Sequence, residues 1–117
     1  MQHTISMKEN HLFRRLYAKG KNAVSPTLAV YCRKNGQAVS RLGFTVGLKL
    51  GHAVTRNKVR RRLREAYRIH EGAIRPGYDI VVVARVKAAS STYKTLERSL
   101  LQLLGRLDLL LPEEKTP

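Results

Sequence analysis

The side chains that could do acid–base, nucleophilic or metal chemistry are few and scattered. The four histidines, His3, His11, His52 and His70, stand apart, and none has a second His or Cys at the spacing of paired metal ligands. Eight carboxylates are equally dispersed, with Glu113 and Glu114 in the C-terminal tail and Asp79 opening an apolar run as a turn or cap residue. Ser90-Ser91-Thr92 reads better as the start of a helix than as a nucleophile. Gly43, Gly47 and Gly51 lack the lysine-and-hydroxyl ending of a phosphate-binding loop. The single cysteine, Cys32, rules out an internal disulfide framework and reads as a small apolar side chain in a reducing compartment. No catalytic constellation emerges, and no metal site is assigned.

Binding chemistry is a different matter. From Arg56 to Arg68, seven of thirteen residues are cationic, six of them arginine, and only Glu65 opposes them. Arginine's planar fork favours bidentate contact with phosphates and base edges over point-charge attraction. At 100° per residue, Val59, Leu63, Ala66 and Tyr67 form one apolar stripe, while Asn57, Arg61, Arg64 and Arg68 line the opposite side. A helix is therefore the conformation that lets this stretch dock by one edge and offer its guanidinium groups to a polyanion. Thr55 is a plausible N-cap, with Ala53 and Val54 open to being helical already.

The whole chain agrees with that partner. Its 117 residues suffice for one domain with a real core, read as residues 1–111, and 23 Lys+Arg against 8 Asp+Glu give a net charge of +15. Nucleic acid is favoured over an anionic membrane, because no segment approaches the ~20 apolar residues of a spanning helix. The N-terminus has no secretory signal pattern, which makes the cytoplasm the default location. A second candidate surface comes from aromatics among cations. Phe13 and Tyr17 fall one turn apart on a first helix, Tyr31 lies on a strand, and Arg14, Arg15, Lys19 and Arg33 surround them. Singly each aromatic suits a core; together they match a platform for an unpaired strand.

The elements that must position these groups are legible in outline. Ser6-Met7-Lys8-Glu9 has the form of a capping box, opening a helix to about Ala18 that Gly20 ends in a left-handed conformation. A polar connection through Asn22, Ser25 and Pro26 leads to a strand at 28–33. Asn35-Gly36 then predicts a hairpin that pairs it antiparallel with a strand at 41–46. After the basic helix, Tyr78 to Arg85 is the most apolar run and reads as a central strand buried on both faces. Leu96, Leu100, Leu103, Leu104 and Leu107 give a last helix from Thr92 its core face, which Leu109-Leu110-Leu111 extends, and residues 112–117 read as a disordered acidic tail. The expected class is α+β, with helices covering one face of a single sheet and a βαβ unit around the basic helix.

The run Lys49-Leu50-Gly51-His52-Ala53-Val54-Thr55-Arg56-Asn57, followed by the basic helix through Arg64, resembles the signature of the protein subunit of bacterial ribonuclease P. The element order from about Ser6 to Leu107 is similar too. The resemblance implies an α-β-β-β-α-β-α two-layer sandwich like the second domain of ribosomal protein S5, with a left-handed βαβ crossover. It implies a subunit of an endoribonuclease that removes the 5′ leader of precursor tRNA. In that enzyme the chemistry is done by a catalytic RNA whose Mg2+ ions are held mainly by the RNA itself, and no further protein partner is required. By position, Arg56, Asn57, Lys58, Arg60, Arg61, Arg64 and Arg68 would contact the catalytic RNA. Phe13, Tyr17 and Tyr31 would line the leader cleft, with Lys49 and Arg85 at its rim. Leu50 stands where many members have a second lysine, and His52 where many have asparagine. Two other readings fit the charge and pattern: a basic ribosomal or RNA-chaperone protein without a processing role, and a DNA-binding protein that lays the basic helix in a major groove.

Overall fold

The strand Tyr78–Ala84 (β5) organises the molecule, because its run of Ile and Val has no polar face to show to water. Ile80, Val81 and Val82 are fully buried. The computed structural model describes residues 1–112. In chain order the other elements are β1 (Thr4–Ser6), α1 (Asn10–Lys19), β2 (Lys21–Val24), β3 (Leu28–Lys34), β4 (Ser40–Val46), α2 (Ala53–His70) and α3 (Tyr93–Arg106). Short 3-10 turns lie at Leu48–Leu50, Glu71–Ala73 and Val86–Ser90. The acidic tail read at 112–117 falls, from Glu113 onward, outside the described residues.

The strands form one sheet in the order β1-β4-β5-β3-β2. β5 pairs antiparallel with β3, from Leu28↔Ala84 to Lys34↔Tyr78, and parallel with β4, from Arg41↔Asp79 to Val46↔Ala84. The β4–α2–β5 unit is thus the expected βαβ crossover. The expected hairpin between β3 and β4 does not form, because β5 lies between them. Asn35-Gly36 does make a turn, with Gly36 at φ 71° and the Gln37 N–H donating to Asn35 Oδ1 at 2.8 Å. The connection then crosses over the entrance to β5. A Cβ on Gly77 would lie 2.8 Å from the Gln37 carbonyl oxygen, so the crossing needs glycine there. Asn35 Nδ2 donates both to the Val39 carbonyl and to Asp79 Oδ1, and Arg41 closes on both Asp79 oxygens at 2.7 and 2.8 Å. A strand buried on both faces gains most from two ladder partners, and that gain outweighs the local hairpin preference.

Alternation along the strands separates two cores. Leu28, Val30, Cys32, Ile80, Val82, Leu42 and Val46 face α2 and α3, where Val59, Leu63, Ala66 and Tyr67 meet Leu96, Leu100, Leu103 and Leu104. The stripe read on the basic helix is the buried set of α2. On the other face, Val81, Val83 and Tyr31 carry α1 through Leu12 and Leu16, with Met7 beside them. The helices therefore cover both faces, not one. Burial raises the pKa of the Cys32 thiol against the smaller opposing effect of Lys21, in keeping with a packing role.

Four local expectations also change. Ser6 does not cap a helix but pairs with Leu42 in β1, and the Met7 N–H donates to the Leu42 carbonyl at 2.9 Å, so α1 begins only at Asn10. The segment read as a polar connection supplies the edge strand β2, paired from Lys21↔Cys32 to Val24↔Ala29. Gly20 is extended at φ −77°, ψ 157°, and its need for glycine comes from the Leu16 carbonyl oxygen, 2.7 Å from where a Cβ would stand. α2 starts at Ala53, with His52 at the N-cap position making no side-chain capping bond, so Thr55 is not the cap and the alternative left open for Ala53 and Val54 is the one that holds. Thr92 does cap α3, accepting from the Thr95 N–H at 3.2 Å. That helix closes with Asp108 in the left-handed region at φ 57° and the Leu109 N–H reaching back to the Leu104 carbonyl.

The three-residue strand β1 is held by more than its ladder. Glu71, 5 % exposed, accepts the N–H of Gln2 at 2.6 Å and of His3 at 3.4 Å. Burial alone would raise its pKa, but these N–H groups, His3 and the adjacent Thr4 hydroxyl together lower it. The Thr4 hydroxyl sits near both Glu71 and the Tyr67 phenol without a fully formed hydrogen bond to either, and burial pushes the phenol up to about 12. A carboxylate with a lowered folded-state pKa stabilises the fold above its unfolded value, about 4.3, and that contribution disappears as pH falls through the folded value. Glu71→Gln should lose roughly 1.5–3 kcal/mol at neutral pH, as expected for hydrogen bonds to a charged group. Urea midpoints measured from neutral pH to below pH ~4 should fall less steeply for this variant than for the parent. Parallel curves would refute the clamp.

Candidate RNA interface

The strand register builds the α1 face in three rows. Ala29, Val83 and Thr45 lie side by side, then Tyr31, Val81 and Gly43, then Arg33, Asp79 and Arg41. α1 lays its aromatics across the first two rows. Phe13 sits over Gly43, where a Cβ would stand 2.5 Å from the ring's Cζ, so only glycine leaves room for the phenyl group. Tyr17 shares a 2.7 Å hydroxyl hydrogen bond with Thr45 Oγ1 and meets Tyr31 edge-to-face at a 5.0 Å centroid distance. Phe13 and Tyr31 are half-buried, whereas Tyr17 is 41 % exposed. The three aromatics read from the sequence thus do gather on one face, fixed at their inner edges and open at their outer ones. Gly43 and Thr45, which seat them, carried no signal before the register was known.

The basic helix presents its cations as its periodicity requires. Asn57, Lys58, Arg61, Arg64 and Arg68 are exposed, and Arg56 and Arg60 are partly buried. They are not equally available. Arg68 makes a bidentate pair with Glu65 at 2.6 and 2.9 Å, which lowers the Glu65 pKa and raises that of Arg68. Arg60 Nη1 donates to Asn57 Oδ1 at 3.1 Å. Arg56 Nε is buried without a hydrogen-bond partner, and Arg62 is a structural tether, donating to the Ser91 carbonyl at 3.1 Å. The first turn of α2 contains no carboxylate, so Arg56 and Lys58 add to the positive end of the helix dipole.

The two groups of residues are not confined to separate surfaces. β1 stops at Ser6↔Leu42, so β4 has an open outer edge beyond Leu42. There a cavity of about 410 Å³ is lined by Phe13 from one face, by Arg60 and Arg64 from the other, and by Gly43 and Phe44 between them. An aromatic ring and two guanidinium groups around a strand edge suit a base and its phosphates. Lys49 and Arg85 do not line this cavity. Both are exposed at the carboxyl ends of β4 and β5, and Arg85 Nη1 donates to the Ser25 carbonyl at 2.8 Å. Among the described residues, no group of three or more His, Cys, Asp or Glu side chains is placed to hold a metal ion. The cationic lining does not suit a divalent cation either. No described helix is long and apolar enough to cross a membrane.

Fold and site define a small α+β nucleic-acid-binding protein whose arginine helix and aromatic face share one strand edge. A family model described as Ribonuclease P matches residues 1–108. The ribonuclease P protein component of Alkaliphilus metalliredigens is 39 % identical over 110 residues, covering 94 % of this chain and 99 % of that one. That of Clostridioides difficile is 41 % identical over 107 residues, covering 91 % and 94 %. Among solved structures, the RNase P protein of Staphylococcus aureus superposes with a TM-score of 0.83 at 35 % identity over 90 % of this chain and 96 % of that one. That of Thermotoga maritima gives 0.74 at 39 % identity over 80 % and 89 %. The chain belongs to the ribonuclease P protein family.

The seat of Phe13 is the most demanding contact on the aromatic face. Gly43→Ala should force the ring aside and cost about 1–3 kcal/mol, the range for overpacking, read as a lower urea midpoint. Phe13→Leu in the same background should recover part of the loss. A Gly43→Ala protein of unchanged stability would show that the ring is not confined.

Proposed function

We propose that this chain acts as the protein subunit of ribonuclease P, with α2 anchoring it to the catalytic RNA and the α1 face holding the unpaired 5′ leader of precursor tRNA. The observation that carries the reading is the shared edge of β4, where Phe13 meets Arg60 and Arg64 around one cavity. A leader strand on the aromatics and a folded RNA on the arginines would then be held side by side, with cations between them to screen phosphate repulsion. On this reading Arg56, Asn57, Lys58, Arg60, Arg61 and Arg64 contact the RNA subunit. Arg68 contributes less, because Glu65 occupies its guanidinium. Phe13, Tyr17 and Tyr31 stack on leader bases, with Lys49 and Arg85 neutralising phosphates at the carboxyl end of the sheet.

Phosphodiester cleavage is assigned to the RNA, and Mg2+ to sites made mainly by that RNA. The protein's own residues bind, orient and screen. Cleavage of precursor tRNA by RNA alone, protein alone and the two together tests this at limiting Mg2+. The pair should cleave, the protein alone should not, and the RNA alone should need more Mg2+. A protein that leaves the RNA's Mg2+ requirement unchanged would overturn the proposal. Phe13→Ala or Tyr17→Ala should weaken holoenzyme binding of precursor by about 1–3 kcal/mol per lost stack and leave mature tRNA unaffected. Equal losses for both RNAs would remove the leader from the aromatic face.

A further inference from the structure

A second cationic cavity lies at the far end of the sheet, and the function proposed above gives it no role. Its volume is about 420 Å³, and it is open to solvent. Lys19 enters it from the end of α1, Lys21 from β2, and Arg33 and Lys34 from the end of β3, while Tyr78 and Leu107 give it an apolar wall. All four cations are exposed, and among the described residues none has a carboxylate within ion-pair distance. Register explains why Arg33 is left over. It stands across from Asp79 on β5, but both Asp79 oxygens are taken by Arg41 from the other side, and one also by Asn35. The one acid in the wall, Asp108, leans toward Arg75, its Oδ1 3.8 Å away.

Position says which anion this is. Lys19 and Arg33 each follow an aromatic of the α1 face by two residues, Tyr17 on α1 and Tyr31 on β3. Along β3 that is about 7 Å, and along α1 about 3 Å of rise. Arg33 shares the α1 face with Tyr31, whereas Cys32, Lys34 and Tyr78 belong to the α2/α3 face. The cavity therefore wraps the end of the sheet, and Arg33 is its link to the aromatic face. A strand leaving Tyr17 and Tyr31 in this direction meets four unneutralised cations and a half-buried phenol ring, the combination that binds single-stranded RNA.

We propose that this cavity is a distal single-strand site that takes the phosphates, and one stacked base, of leader nucleotides lying beyond those held on Phe13, Tyr17 and Tyr31. The inference rests on the leader-binding reading above. Its test uses the holoenzyme with two precursors, one whose leader just spans the aromatic face and one several nucleotides longer. The Lys21→Ala/Lys34→Ala double variant changes two cations outside the aromatic face. It should weaken binding of the long-leader precursor about tenfold and reduce its salt slope by about 1.4, as two lost single-strand phosphate contacts would, while the short-leader precursor binds as before. Asp108→Asn keeps a side chain tolerant of the left-handed backbone and should tighten the long-leader complex alone. Equal effects on both precursors, or on neither, would overturn the distal site. If the unmodified protein itself failed to favour precursor over mature tRNA, the leader-binding reading would fall instead, so the two failures are distinguishable.

Discussion

The structure depends on the burial of β5. Its Ile80-Val81-Val82 core has no face that tolerates water, so the strand must lie mid-sheet with helices on both sides. Two ladder partners follow from that, β3 antiparallel and β4 parallel, and a parallel partner requires a crossover. The crossover is α2. The arginine helix is therefore held in place by the same constraint that centres β5, through Val59, Leu63, Ala66 and Tyr67 on its inner side.

The same placement creates the two candidate binding surfaces. With β5 in the middle, Gly43, Thr45 and Tyr31 line up on the face that α1 crosses, and the aromatics of α1 find a seat and a hydroxyl partner. With β1 only three residues long, the outer edge of β4 stays open, and groups from opposite faces reach one cavity. The short strand is tied down by Glu71, which follows α2, so the crossover also anchors the N-terminus.

Charge is distributed with little internal compensation. Arg41 is neutralised by Asp79 inside the sheet's end row and Arg68 by Glu65 on the exposed side of α2. The remaining cations of the α2 stripe and of the Lys19–Lys34 cavity have no such partner among the described residues. A net charge of +15 on 117 residues repels itself. Binding any polyanion would relieve that repulsion, so on the RNA-binding reading proposed above the bound state is the less strained one.

Periodicity was enough to identify α2, both of its stripes and the α3 core face, and unbroken apolarity the central character of β5, because each depends only on residues within one element. The Lys49 to Arg64 run was enough for the family. Pairing was not legible in the same way. Asn35-Gly36 carries a strong local hairpin signal, yet the partner of β3 was decided by the need of β5, forty residues later, for two ladders. Ser6 likewise had the pattern of a helix cap, but its backbone pairs with the edge of β4 instead. The aromatic trio could be named from composition, while the role of Gly43 and Thr45 beneath it could not, since nothing local places them opposite Val81 and Val83. Side chains along one helix or strand are related by fixed rotations, which a sequence displays directly. Which strands lie side by side is settled by competition among all buried surfaces at once, and only the folded chain shows the result.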